Sequence, residues 1–208
     1  MNPRTDCLSP IGEDLILSGL KKQIEADFYT SVTRPPAVYR GNPFQIEAGL
    51  AYGGSLPAEE LARVLRYANR VPLLYQQSAC AMTRSVLSTA WRNYALSQSA
   101  GALPSGPLVI IIHMASVWVP FTSESKEAVA HYPEIIKEVR LALQECGRRL
   151  AVFIRRRRKA AKSQRKKDYI QQYIPHIAIA LREMLELSER QETTLVKQLT
   201  DVLERSRS

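Results

Sequence analysis

Phe44, Ile46, Ala48, Leu50 and Tyr52 alternate with other residues, the period of a strand that buries one face, and Gly53-Gly54 closes the run. Leu108 to Ile112 is continuously apolar, which predicts a buried strand, and Pro120 stops that segment before a polar loop rich in hydroxyls. Other stretches have helical spacing. After a polar opening from Met1 to Leu8, Ser9-Pro10 offers an N-cap and a proline for the first turn. Ile11 to Phe28 then reads as a helix with Leu15, Ile16, Leu20 and Ile24 on one side. The prolines of Thr33-Arg34-Pro35-Pro36 mark a linker. Pro57 to Asn69 reads as an amphipathic helix with Leu61, Val64, Leu65 and Ala68 inward, and Val71 to Tyr75 as a short strand. Ser78 to Tyr94 repeats Met82, Val86, Leu87 and Ala90 at helical intervals, and a Gly/Pro/Ser loop follows from Ala100 to Gly106.

From Pro133 to Ile174 only Gly147 interrupts the helical pattern, at a cost of about 1 kcal/mol relative to alanine. Such a helix would be roughly 60 Å long. Pro175 is expected to kink or break it, with a further amphipathic helix from Ile177 to Leu187. The tail, Ser188 to Ser208, is polar but keeps Leu195, Leu199, Val202 and Leu203 at helical spacing. This order of elements predicts an α+β layered domain with helices covering one face of a sheet.

With 208 residues the chain can bury one sizeable core, and its 45% hydrophobic and 24% charged residues are ordinary for a globular protein. The sequence opens on no signal-like segment, and Leu108 to Val119, broken by His113, is too short to span a bilayer. A soluble, intracellular protein with no membrane partner is expected. Cys7, Cys80 and Cys146 lie far apart and none is in a Cys-x-x-Cys pair, so they are expected to be buried small hydrophobes, not metal ligands or disulfides. His113, His131 and His176 are equally isolated. Of the net charge of +9, the segment Arg148 to Lys167 carries eleven Lys and Arg and no acid, so the remainder is slightly acidic. Basicity is a local feature.

Three stretches could carry chemistry. In the loop before Pro133 the one lysine, Lys126, sits among serines between Glu124 and Glu127; by spacing alone it reads as a solvated cation. Trp91-Arg92-Asn93-Tyr94 reads either as a core tryptophan beside a solvated arginine or as two aromatics and a guanidinium gripping a DNA backbone. Arg155, Arg156, Arg157, Arg158 and Lys159, continued by Lys162, Arg165, Lys166 and Lys167, surround their helix. They are either solvated or, because nothing of opposite sign neutralises them, a surface for a polyanion read through phosphates and not bases. No glycine-rich phosphate loop surrounds Gly53-Gly54, and Glu134, Glu138 and Glu145 have neither metal-ligand partners nor a general-acid arrangement. No catalytic or metal-binding residue is expected in the chain.

Phe44-Gln-Ile-Glu-Ala-Gly-Leu-Ala-Tyr-Gly-Gly, Ala68-Asn-Arg-Val-Pro-Leu-Leu-Tyr-Gln and Trp118-Val-Pro-Phe-Thr-Ser-Glu-Ser-Lys-Glu-Ala closely resemble, in order, the transducer region in the B subunit of DNA topoisomerase VI, a type IIB topoisomerase. The resemblance implies a mostly antiparallel sheet backed by helices, a ribosomal-protein-like βαβ fold with a left-handed crossover, then a long stalk helix. The expected parts are 1–36, the end of a helix–two-turns–helix region and linker; 37–132, the transducer core; 133–174, the basic stalk; and 175–208, a helical tail. Cys7-Leu-Ser-Pro-Ile-Gly-Glu lies where that upstream region hands over to the transducer, so the ATPase domain is expected to be missing here and supplied in cis or in trans.

The resemblance also implies roles. Lys126 would be the switch lysine that reaches the γ-phosphate of ATP in the neighbouring domain. The family's Trp-Lys-x-Tyr motif, implicated in DNA contact, matches Trp91, Arg92 and Tyr94 with Arg for Lys. The basic run would lie near the DNA path. The complete enzyme would use ATP and Mg2+, neither bound by this fragment alone, and would pair with a DNA-cleaving A subunit in a heterotetramer. Its setting would be a prokaryotic nucleoid or a eukaryotic nucleus. Two other readings stay open: a free-standing basic DNA-binding protein, and a self-sufficient enzyme that turns over ATP alone.

Overall fold

The computed structural model describes residues 6–205. Along the chain it forms α1 (Glu13–Gln23), β1 (Phe28–Thr33), β2 (Ala37–Tyr39), β3 (Asn42–Tyr52), β4 (Arg63–Ala68), β5 (Val71–Pro72), α2 (Ala81–Ser88), β6 (Ser97–Gln98), β7 (Pro104–Ser105), β8 (Leu108–Ser116), α3 (Pro133–Leu185) and α4 (Glu189–Arg205). The alternation around Leu50 does make a strand, and the apolar run at Ile110 makes the central one. These two, β3 and β8, pair antiparallel from Phe44↔Ser116 to Tyr52↔Leu108. β1 and β2 both lie antiparallel on the outer edge of β3, while β4 runs parallel to β8 on its other side and β5 pairs with β4. The fold is therefore α+β, with a mixed sheet that contains one parallel pair.

The chain forms two compact units, one up to Ile154 and one from Arg155 on. In the first unit the period of two sorts β3 and β8 onto two faces. Phe44, Ile46, Ala48 and Leu50 join Ile110, Ile112 and Met114 in a core with Met82, Val86, Trp91 and, from α3, Ile135, Val139, Leu143, Leu150 and Ile154. Ala51 and Val109 turn the other way, onto Ile16 and Leu20 of α1. Helices thus cover both faces, not one. β8 is apolar on both sides because both are buried. At Gly49 a Cβ would lie 2.8 Å from Ile16 Cγ2, so the glycine sets how closely α1 can approach.

Several expectations need correction. The helix expected to reach Phe28 ends at Gln23. Ile24 is extended (φ −135°), and Tyr29 closes the turn because its hydroxyl donates to Ile24 O and accepts from Ala26 N–H. The helix begins after Gly12 (φ 93°), not at Ser9-Pro10. Thr33 to Pro36 is a kink between two pieces of one sheet edge, held by Arg34 N–H to Ile46 O and by the Gln45 side chain to Arg34 O. Pro57 to Asn69 is not a helix: it is a loop followed by β4, in which Val64, Arg66 and Ala68 are buried. An arginine at an inward position hides the strand alternation. β5 keeps two residues, and Ser78 to Tyr94 is helical only at Ala81–Ser88 before a 3₁₀ turn at Trp91–Tyr94. β8 ends at Ser116, ahead of Pro120. Of the opening stretch, residues 1–5 lie outside the described residues. Cys80 and Cys146 are buried, whereas Cys7 is exposed.

Pro175 does not end α3, which continues to Leu185. Ile174 and Ala178 on either side are buried, and that packing offsets the one backbone hydrogen bond a proline removes. The break comes at Glu186, where φ is 53°. Arg182 then bonds Glu192 across the turn at 2.8 Å. Within this second unit α4 places Leu195, Val196, Leu199 and Leu203 half-buried, the helical spacing expected of the tail.

Beneath the start of α1 lies a buried polar cluster. Glu47 and His113 are register partners across β3 and β8, and Oε2 accepts from His113 Nδ1 at 2.8 Å. The carboxylate also accepts from Ile11 N–H and Gly12 N–H, both at 2.7 Å, and from Thr33 Oγ1 at 2.9 Å. Arg70 N–H donates to His113 Nε2 at 3.0 Å, which leaves Nδ1 to carry the ring proton. Arg70 in turn reaches Ser9 Oγ and Pro10 O.

Burial alone would push the Glu47 carboxyl up, but donors from His113, Ile11, Gly12 and Thr33 outweigh it and hold it down at about 2 against an ordinary 4.5. The folded value lies below the unfolded one, so the stabilisation is complete above pH 4.5 and is lost as pH falls toward 2; it amounts to about 3 kcal/mol. Urea unfolding from pH 6 to pH 2 is expected to show that loss. Glu47→Gln is expected to be destabilised at pH 7 by about 3 kcal/mol and to lose this part of the pH dependence.

Candidate functional site

The loop from Val117 to Tyr132 is tied at its neck and free at its tip. Phe121 and Val129 form an isolated antiparallel bridge. Thr122 N–H donates to Ala128 O at 2.9 Å, and Ala130 N–H to Pro120 O at 2.8 Å. Ala128 and Val129 are fully buried in the main core. Ala81 N–H, at the first residue of α2, donates to Val129 O at 2.8 Å and so ties the neck to that helix. At the tip Lys126 has φ 55°, in a turn closed by its own N–H to Ser123 O. Its side chain is exposed, and the ammonium meets no hydrogen-bond or ion-pair partner among the described residues. Of the two flanking acids, Glu127 bonds Gln76 at 2.7 Å. The spacing-only reading, a solvated cation, describes its surroundings; the tethered neck is what sequence could not show.

The aromatic motif is built differently. Trp91 is fully buried, its Nε1–H donating to Val86 O at 2.8 Å. Tyr94 meets it edge-on, and its ring lies where a Cβ on Gly147 of α3 would come within 2.6 Å. Gly147 is thus the seat of an aromatic ring, which accounts for a glycine in mid-helix. Arg92 and Asn93 are exposed, with Arg92 Nε donating to Gln98 O at 2.8 Å. Of the two readings of this motif, the burial is that of a core tryptophan beside an exposed arginine: Trp91 has no free face, and Tyr94 is half-buried against α3.

In the basic segment, Arg148 and Arg149 are already engaged. Both bond Glu145, whose carboxyl Arg148 holds below its usual range, and Arg149 also reaches Ser31 O at 2.8 Å. The second unit begins at Arg155, and there Arg155, Arg156, Arg157, Arg158, Lys159, Lys162, Arg165 and Lys166 are exposed, with Lys167 half-buried. Arg155, Lys159, Lys162 and Lys166 share one face of α3 at helical spacing. On the same face Tyr169, Tyr173, Ile177, Ala180 and Met184 follow, all exposed, with the two tyrosine rings 4.7 Å apart. Sequence reading misses this stripe because the neighbouring apolar row, Ile170, Ile174 and Ala178, about 100° round the helix, is the one that is covered. Among the described residues no group of three or more His, Cys, Asp or Glu could hold a metal, and no helix is long and apolar enough to cross a membrane.

The sequence profile of a family described as "Topoisomerase VI B subunit, transducer" matches residues 3–167. The chain belongs to that family. It is 49% identical to the B subunit of type 2 DNA topoisomerase 6 from Methanosarcina acetivorans over 89% of this chain and 30% of that one. With the corresponding Archaeoglobus fulgidus protein it is 50% identical, over 88% and 30%. The chain therefore spans about a third of the length of these relatives. The crystal structure of the DNA gyrase B-subunit from Myxococcus xanthus matches 65% of this chain and 38% of that one, at 17% identity and a TM-score of 0.43.

The transducer match takes in the Lys126 loop, the Trp91 turn and the basic segment as far as Lys167, and leaves the aromatic stripe and α4 beyond it. The buried Glu47–His113 pair, also inside the match, escapes sequence reading because its partners are 66 residues apart. The one signal for it is an acid on the face of β3 that carries no alternating apolar row, level with the histidine that breaks the apolar run of β8.

These placements separate the roles of the motif. Trp91→Ala is expected to lower the unfolding free energy by about 3–5 kcal/mol, and Arg92→Ala to change it by less than about 0.5 kcal/mol, both read by urea denaturation.

Proposed function

We propose that this chain is the transducer in the B subunit of a type II DNA topoisomerase and couples ATP binding and hydrolysis in an adjoining domain to DNA strand passage. The observation that carries this reading is Lys126: an unpartnered ammonium at the tip of a loop whose neck is bonded to α2 and buried in the core, inside a chain of the topoisomerase VI B transducer family. A γ-phosphate within reach gives that ammonium a charge-assisted contact worth roughly 1.5–3 kcal/mol. A difference of that size between ATP and ADP shifts a two-state equilibrium roughly 10- to 100-fold. ATP and Mg2+ are held by the adjoining domain, present in cis or in trans, and the transducer supplies the ammonium. Loss of the phosphate frees the tip, and the neck passes the change to α2 and the sheet.

DNA meets the exposed cations. Arg155, Arg156, Arg157, Arg158, Lys159, Lys162, Arg165, Lys166 and Lys167 of α3 supply phosphate contacts without base reading, and Arg92 adds one more, held in place by Trp91 and Tyr94. The exposed face of Tyr169, Tyr173, Ile177 and Met184 suits docking on the DNA-cleaving A subunit, since a helix with a second apolar face is a partner-binding helix. On this reading the protein works at chromosomal DNA. The free-standing DNA-binding reading needs the cations alone and leaves the Lys126 loop without a purpose.

In the complete enzyme Lys126→Ala is expected to lower ATP hydrolysis and duplex passage at least tenfold while urea unfolding stays unchanged; rates equal to wild type would remove Lys126 from the switch. Duplex affinity is expected to fall steeply with rising salt, and replacing Arg155 to Arg158 by glutamine to flatten that slope, as read by fluorescence anisotropy. A salt response unaltered by the substitutions would take α3 off the DNA path.

A further inference from the structure

Arg66 is an arginine at an inward position of a β-strand, 2% exposed, between buried Val64 and buried Ala68. Its Nη2 donates to Leu73 O at 2.8 Å and to Tyr75 O at 3.0 Å, so the side chain clamps the segment that follows β5. Its Nη1 is also buried and has no acceptor among the described residues. Two carbonyl dipoles do not neutralise a buried guanidinium, and an unpaired charge in that position is costly. A methionine would fill the same space without that cost, so packing alone does not account for an arginine here.

The same residue forms part of the wall of a cavity of about 320 Å³ on the open side of β4. Arg63 lines it too, Gln77 adds an amide, and Leu73, Leu74 and Leu103 make it apolar elsewhere; no aspartate or glutamate contributes. Two guanidiniums without a carboxylate, set in apolar walls, are a recognition pattern for an anion carried on an apolar body. A water molecule could accept from Nη1, but it would leave the charge uncompensated.

We propose that this cavity binds a small carboxylate with an apolar body, its oxygens accepting from Arg66 Nη1 and from the Arg63 guanidinium. Binding requires the Arg66 guanidinium to turn so that Nη1, buried in the structure, faces the ligand while Nη2 stays on Leu73 and Tyr75. None of its lining residues belongs to the Lys126 loop or to α3, and the coupling role proposed for the chain does not require it.

The test is a titration of the isotope-labelled chain with hexanoate, followed by NMR, with hexanamide as the neutral counterpart and inorganic phosphate as the bare anion. Saturable shifts are expected at residues 62–66 and 73–77 with hexanoate, at least tenfold weaker binding of hexanamide, and about threefold weaker hexanoate binding in Arg63→Gln, whose exposed side chain the fold does not need. Arg66→Gln is expected to abolish the shifts while still folding through its amide donors; if it does not fold, Arg63→Gln and the hexanamide comparison decide the matter. No saturable shifts, equal shifts with hexanamide, or shifts with phosphate alone would overturn the proposal.

Discussion

Glu47 and His113 face each other across the β3–β8 ladder, and the hydrogen bond between them gathers segments that are distant in sequence. The carboxylate takes the first amides of the α1 turn and the Thr33 hydroxyl, while the imidazole accepts from Arg70 at the turn between β4 and β5. A buried charge is tolerable only when donors surround it, and here the donors come from the segment leading into α1, from β1 and β8 and, through the ring, from the β4–β5 turn. The segment from Ser9 to Gly12 leads directly into α1. The polar cluster fixes that segment to the sheet, so displacement of either is felt by the other.

On the opposite face of the sheet the same strands carry the core that holds α2, the Trp91 turn and the start of α3. The neck of the Lys126 loop is built into this core through Ala128 and Val129, and one backbone bond joins it to α2. A close-packed interior transmits such a shift because it cannot absorb it by compression. A lysine on a floppy loop would sense an anion and report it to nothing. Held by a bridged neck, it can bias the arrangement of what lies beneath. The strained turn at Lys126, with a positive φ in a residue that seldom adopts one, belongs to the same design.

Much of this is legible in residue order. Alternation gives β3 away, and an unbroken apolar run does the same for β8. The polarity and charge of α3 mark it as a long helix with a basic segment, and three ordered blocks point to the family. The failures have physical causes. β4 reads as a helix because Arg66, buried by its two carbonyl acceptors, counts as polar in any periodic pattern. α1 reads too long because the device that ends it, the Tyr29 hydroxyl, acts from the next strand. Trp91 stays ambiguous in the sequence, core or free to stack, because its indole partner is a backbone carbonyl, which composition cannot reveal. Pro175 looks like a stop because the packing that carries α3 through it is tertiary.

On the proposed reading, phosphate sensed at Lys126 reaches α2 through the bonded neck of its loop. Amide hydrogen exchange in the complete enzyme tests this most directly, at Ala81, Thr122 and Ala130, whose N–H groups make the neck bonds. With a non-hydrolysable ATP analogue in place of ADP, these three amides are expected to exchange at least tenfold more slowly, and the difference to vanish in Lys126→Ala. Equal exchange in the two nucleotide states, with the analogue fully bound, would contradict transmission through the neck.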